Sequence, residues 1–284
     1  MKNIVIAGGL VAALSIPGAF FLRVDRPHIV LPAEGLFHVA GFVITNTMLS
    51  AWVTLLVLTV VFLLAIRKRD LVPSGMQAWV EGYTEAMLSL VEGVAGKAWG
   101  RRFFPLVATI FLFVITNNWL GLLPWVGPSV YISEEVVKEG HAEILHLPLF
   151  RNPNSDLNTT LGLALLAMIM VQYWGIRANG LPRYISKFVN VHGPINFFVG
   201  ILELISEVAR AIAFTFRLFG NMFAGEVLLL IMTSLISVLF FMQIFYALEV
   251  FVGFVQALIF AMLTLVFATM AVAGHGEGEE HKEH

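Results

Sequence analysis

The sequence predicts an all-α polytopic membrane protein with five to six transmembrane helices plus one amphipathic interfacial helix, its last two spans forming a long hairpin. Three observations carry that reading. Hydrophobic residues make up 58% of the 284-residue chain and charged residues 13%, with a mean hydropathy of +0.86, whereas soluble chains are about 25% charged. The charges fall in clusters and leave uncharged runs of about 20 residues, the length a helix needs to cross a bilayer. Basic residues also favour alternate connections, as cytoplasmic loops do. Extensive disorder is excluded, because it needs low hydrophobicity and high net charge. A net charge of −2 and a pI near 6.4 argue against nucleic-acid binding. Without cysteine there is no disulfide, thiolate nucleophile or cysteine–zinc site.

The distances between charges mark the spans. Residues 4–22 lie between Lys2 and Arg23; residues 42–66 run up to Arg67-Lys68-Arg69; residues 103–126 follow Arg101-Arg102; residues 157–176 separate Asp156 from Arg177. The first run contains Gly8-Gly9 and Pro17 and reads as an extra helix or, alternatively, as a removed leader. Between the second and third runs, Met76, Trp79, Val80, Tyr83, Met87, Leu90, Val91 and Val94 recur at helical spacing. Glu81, Glu85 and Glu92 lie off that stripe, which predicts an amphipathic helix along the interface, or alternatively a short helix packed on the bundle. Residues 124–156 read as a polar external loop. From 198 to 274 there is length for two extended helices, with a turn at Ser234–Ser237. The tail from 274 to 284 is too charged and glycine-rich to fold, and its histidines read as a solvated end. The chain thus divides into an N-terminal segment (1–40), a membrane domain (41–273) and a tail (274–284).

With the N-terminus inside, eleven basic residues fall on the inner side (Lys2, Arg67, Lys68, Arg69, Lys97, Arg101, Arg102, Arg177, Arg183, Lys187, Lys282) and four outside (Arg23, Arg26, Lys138, Arg151). The expected C-terminus is cytoplasmic.

An ionisable residue inside a membrane costs about 2.5–3.5 kcal/mol on insertion scales and points to function. The final hairpin holds six: Glu203, Glu207, Arg210, Arg217, Glu226 and Glu249. At 100° per residue, Glu203, Arg210 and Arg217 share one face within about 40°, while Glu226 falls on the face opposite Arg217, about 13.5 Å further along. Asn221 can share the side of Arg217. If the turn is at 234–237, residues at equal depth have numbers adding to about 471–475, which matches Arg217 with Gln256 and Glu226 with Glu249. Two carboxyls close together in low dielectric cannot both ionise, which suits a proton carrier. Arginine does not deprotonate, so it can hold a carboxylate ionised and block leakage. This arrangement describes two proton pathways kept apart. For Glu203, Glu207 and Arg210, the alternative is a set of ion pairs that only fixes helix packing.

The decapeptide Arg217-Leu-Phe-Gly-Asn-Met-Phe-Ala-Gly-Glu226 resembles the signature of subunit a of F-type ATP synthases, the stator subunit of the Fo membrane sector. Similar runs are Glu203-Leu-Ile-Ser-Glu-Val-Ala-Arg210, Asn154-Ser-Asp-Leu-Asn-Thr-Thr-Leu161 and Gln256-Ala-Leu-Ile-Phe260. Coverage runs from about Gly41 to Met270. The resemblance implies that Arg217 faces the c-subunit ring, and that Asn221, Glu226 and Gln256 line the outer half-channel, with Asp156 and Asn158 near its mouth. Glu203 and Ser206 match the cytoplasmic half-channel. Glu249 lies where some relatives carry histidine, which leaves open whether it or Glu226 holds the proton. The implied hairpin is tilted against the c-ring. Implied partners are the c-ring, the peripheral-stalk b subunits and the rest of the F1Fo complex, in a bacterial-type inner membrane, with no cofactor. A phosphate-binding Gly-x4-Gly-Lys-Ser/Thr loop is absent, so no catalytic site of its own is expected. An unrelated proton-coupled secondary transporter would show a repeat with matching broken helices, and the hairpin has no counterpart in the first half. An intramembrane hydrolase would need His-Glu-x-x-His or Gly-x-Ser-x-Gly, and neither occurs.

Overall fold

A computed structural model describes residues 32–39, 41–67, 73–123, 131–138, 141–186, 188, 194–235 and 239–273. The first expected span, the C-terminal tail and the centre of the 234–237 turn lie outside the described residues. The order is β1 (Gly35–Val39), β2 (Phe42–Thr45), α1 (Asn46–Arg67), α2 (Met76–Leu120), β3 (Tyr131–Lys138), β4 (His141–Pro148), a 3-10 turn (Pro153–Ser155), α3 (Leu157–Asn179), α4 (Leu181–Ser186), α5 (Pro194–Leu235) and α6 (Leu239–Ala273).

The second expected span begins four residues late. Phe42–Thr45 pairs antiparallel with Gly35–Val39, as suits β-branched and aromatic residues. Helix α1 starts at Asn46 because the Met48 N–H donates to Thr45 Oγ1 at 3.3 Å, an N-cap bond. Its polarity is inverted relative to a soluble helix. Asn46, Thr47 and Thr54 are buried, while Trp52, Leu55, Leu56, Leu63 and Leu64 are exposed. Small and polar residues thus face protein and large apolar ones face outward, the packing expected when the solvent is lipid.

Helix α2 is two arms joined at Gly96, whose backbone (φ 71°, ψ 164°) leaves the helix. The arms fold back on one another. The Tyr83 hydroxyl donates to the Ala108 carbonyl at 2.8 Å, and a Cβ on Gly100 would fall 2.9 Å from Glu92 Cα. The amphipathic stripe is therefore shared: Val80, Met87 and Val91 are buried in the bundle, whereas Met76, Trp79 and Val94 stay exposed. The third expected span stops at Leu120, short of 126, where the Gly121 N–H bonds back to Asn117 O at 2.9 Å.

The expected polar loop contains structure. Strands β3 and β4 pair antiparallel from Tyr131↔Pro148 to Lys138↔His141, an addition to the all-α body. Asp156 then caps α3, accepting the Asn158 N–H at 3.0 Å. That helix runs three residues past the expected 176 and ends at Gly180, whose positive φ of 79° suits a glycine stop.

Helix α6 is central, packing against α2, α3 and α5. Its buried Ala257, Ala261 and Ala268 let the neighbouring backbones approach around Phe260 and Leu265. Among the described residues four helices are long and apolar enough to cross a bilayer, in α1, α2, α3 and α6. Helix α5, at 42 residues, spans about 63 Å but carries five charges of the final hairpin. The architecture is that of an all-α polytopic integral membrane protein.

Candidate functional site

The two long helices match in the expected depth register. The Phe214 and Phe260 rings meet edge to face at 4.9 Å, and the Glu249 carboxylate lies against Gly225, in the space a Cβ there would take. Both pairs obey the depth rule, and the carboxylate on α6 arrives within one residue of Glu226.

The charges separate into two clusters. Toward the N-terminal end of α5, Arg210 Nη1 donates to Glu207 Oε1 at 2.9 Å, and its Nη2 lies 3.7 Å from Glu203 Oε1 and 3.4 Å from Ser206 Oγ. The guanidinium also stands 5.1 Å from the Phe267 ring. Gln172 of α3 donates to Glu207 Oε2 at 2.9 Å, and the Tyr184 hydroxyl of α4 donates to Gln172 Oε1. Burial, reinforced by Glu207 and Glu203 and opposed by Arg210, pushes the Tyr184 phenol up to about 12, so at neutral pH it is an O–H donor. The ion pairs weighed for Glu203, Glu207 and Arg210 are present, within a network that reaches α3 and α4.

The second cluster lies about 35 Å along α5, 23 residues from Glu203 to Glu226 at 1.5 Å each. Arg151, buried just before the 3-10 turn, places Nε 3.0 and 3.3 Å from the two oxygens of Glu226. Glu249 and Gln256 are buried on α6, and neither is hydrogen bonded to Arg217. Asp156 is buried with its Oδ1 on the α3 cap and its Oδ2 accepting from Thr47 Oγ1 at 2.8 Å; Asn158 is exposed. Asp156 is thus held as a cap that ties α3 to α1.

Arg217 lies between the clusters and joins neither. It makes no hydrogen bond or ion pair with any described residue, and it is exposed next to Phe216, itself more than half exposed. Asn221 is exposed one turn on. A lone cation on the outward face of a membrane helix calls for an acidic partner that the described residues do not supply.

Sequence reasoning passed over several polar residues. Asn118 Nδ2 donates to the Gly253 carbonyl at 2.9 Å, and its Oδ1 accepts from Asn154 Nδ2 at 2.7 Å, which joins α2, the 3-10 turn and α6. Asn117 Oδ1 is buried without a hydrogen-bond partner among the described residues, and its residue lines a cleft with Ser50, Thr54 and Arg151; a buried polar oxygen beside a cleft calls for a donor from solvent. The available signal was Asn117-Asn118 inside an uncharged span, invisible when spans are marked by charges alone.

A family profile described as ATP synthase A chain matches residues 48–269. The chain is 32% identical to ATP synthase subunit a of Desulforamulus reducens over 84% of its length and 83% of that protein. It is also 32% identical to ATP synthase subunit a of Moorella thermoacetica, over 87% of this chain and 99% of that one. To ATP synthase subunit a of Campylobacter jejuni subsp. doylei it is 31% identical, over 78% and 88% respectively.

Proposed function

The chain belongs to the ATP synthase subunit a family, and from its geometry we propose that it provides two offset proton half-channels to a rotating c-ring. One observation carries this reading: an exposed Arg217 without a partner among the described residues stands between two polar clusters that lie toward opposite ends of one helix. A c-subunit carboxylate is the acidic partner this face requires. A proton reaching it from the Glu226–Glu249 cluster, with Gln256 and Asn221 along the way, neutralises the carboxyl, and a neutral carboxyl can turn through lipid. After nearly a full rotation it reionises into the path past Glu203 and Ser206. Arg217 stays charged and keeps the two paths from joining. Each charge crossing is worth about 2.3 kcal/mol per 100 mV, so several together drive one ATP synthesis event in other subunits, where nucleotide chemistry resides.

The proposed setting is a bacterial-type inner membrane, with the Glu203 end and the C-terminus cytoplasmic, Asp156 and Asn158 on the outer side, and peripheral-stalk b subunits alongside. The membrane domain of this reading is 41–273, flanked by an N-terminal segment and a charged tail. In the assembled complex, Arg217→Ala should abolish ATP-driven acidification of inverted vesicles while the chain still co-purifies with the c-ring. Normal acidification would refute the proposal.

A further inference from the structure

We propose that Arg151 is a positioning residue that locks Glu226 as a fixed countercharge and leaves Glu249 as the carboxyl that takes up and releases the proton. This rests on the half-channel reading above. Two carboxyls occupy nearly one depth, since the Glu249 group lies against Gly225, and one cation balances only one of them. The two are treated differently. Glu226 receives Arg151 Nε on both oxygens, at 3.0 and 3.3 Å. Glu249, equally deep, has no hydrogen bond or ion pair with any described residue and is 8% exposed.

Arg151 cannot swing from one carboxyl to the other. Its backbone N–H donates to Ser50 Oγ at 3.1 Å, Nη1 donates to the Pro32 carbonyl at 3.2 Å, and the guanidinium stands 6.0 Å from the Phe223 ring. Pro153, at the start of the 3-10 turn, stiffens the segment that follows. With 7% of its surface exposed, Arg151 is anchored to α1, α5 and the segment before β1. Of the other described acids nearby, Asp156 is already occupied by Thr47 and the α3 cap, and Glu34 accepts from Asn46 Nδ2 at 3.5 Å. A carboxylate held by an anchored arginine keeps its charge, while a buried carboxyl with no cation is free to exchange a proton. The sequence left these two acids equivalent; the arginine that separates them comes from a loop 75 residues away from Glu226.

The test uses the whole ATP synthase in inverted vesicles, measuring passive proton permeability after F1 removal, with recovery of the c-ring alongside the chain as the assembly control. Arg151→Gln should lower permeability about tenfold by unbalancing Glu226, and adding Glu226→Gln should recover most of it, a non-additive pair. Arg151→Lys should keep more function than Arg151→Gln. Glu249→Gln should be near background with or without the Arg151 change. If the double variant stays as low as Arg151→Gln alone, or if Glu226→Gln is as inactive as Glu249→Gln, the assignment is overturned. If every one of these variants conducts normally, the half-channel reading itself fails.

Discussion

The Glu249 carboxylate of α6 rests directly on Gly225 of α5, in space that any side chain at 225 would fill. The glycine that precedes Glu226 therefore serves the neighbouring helix, by making room for an acid at the depth of Glu226. Gly225→Ala should displace that acid. A propensity argument alone would favour alanine in a helix interior by about 1 kcal/mol, so a structural account without the carboxylate predicts no harm. The expected result is slowed passive proton flow in an assembled complex, read by a pH-sensitive dye in F1-stripped vesicles.

The asparagine network should act on stability. Asn118→Ala removes a donor to the Gly253 carbonyl and the acceptor for one Asn154 N–H, which leaves that buried N–H unmet at about 1–3 kcal/mol. The chain should dissociate from the detergent-solubilised complex at a lower temperature than wild type, while Asn158→Ala, at an exposed position, should not shift it.

Thr47→Val keeps the shape of a buried residue but removes its hydroxyl from Asp156 Oδ2. Loss of that bond should cost about 1–3 kcal/mol, and limited proteolysis of vesicles should cut more readily between β4 and α3. Equal protection would show that α1 is held to the cap by packing alone.

At the other end of α5, Arg210→Gln takes the guanidinium away from Glu207, whose side chain is 12% exposed, and keeps the Gln172 hydrogen bond. Breaking one side of a buried pair costs about 3–5 kcal/mol, so the yield of assembled complex should fall. Converting Glu207 to Gln as well should restore part of that yield, because the carboxylate that lost its arginine is gone.

Much of this was legible in the sequence, and the reasons are physical. Helical periodicity is strict, so placing the turn near 234–237 was enough to bring the Glu249 depth level with Glu226, and the Phe214–Phe260 contact follows the same register. The resemblance of the decapeptide carried the family, which the match over residues 48–269 bears out. Span ends were less legible, because Thr45 and Gly180 act through caps and backbone geometry that charge spacing does not register. In the sequence Arg151 reads only as an outer-side basic residue: its partner lies 75 positions away, and no periodic pattern links an irregular segment to a helix. The fold-back of Tyr83 on Ala108 escaped for a related reason, since the break at Gly96 depends on one backbone dihedral.

The most direct measurement is the distance between the Arg217 guanidinium and the nearest c-subunit carboxylate in a structure of the intact complex. The two should face each other across the outward face of α5, within direct or single-water hydrogen-bonding reach, with no acid of this chain in between. An Arg217 that points into lipid, or that is paired with an acid of its own chain while the c-ring packs elsewhere, would contradict it.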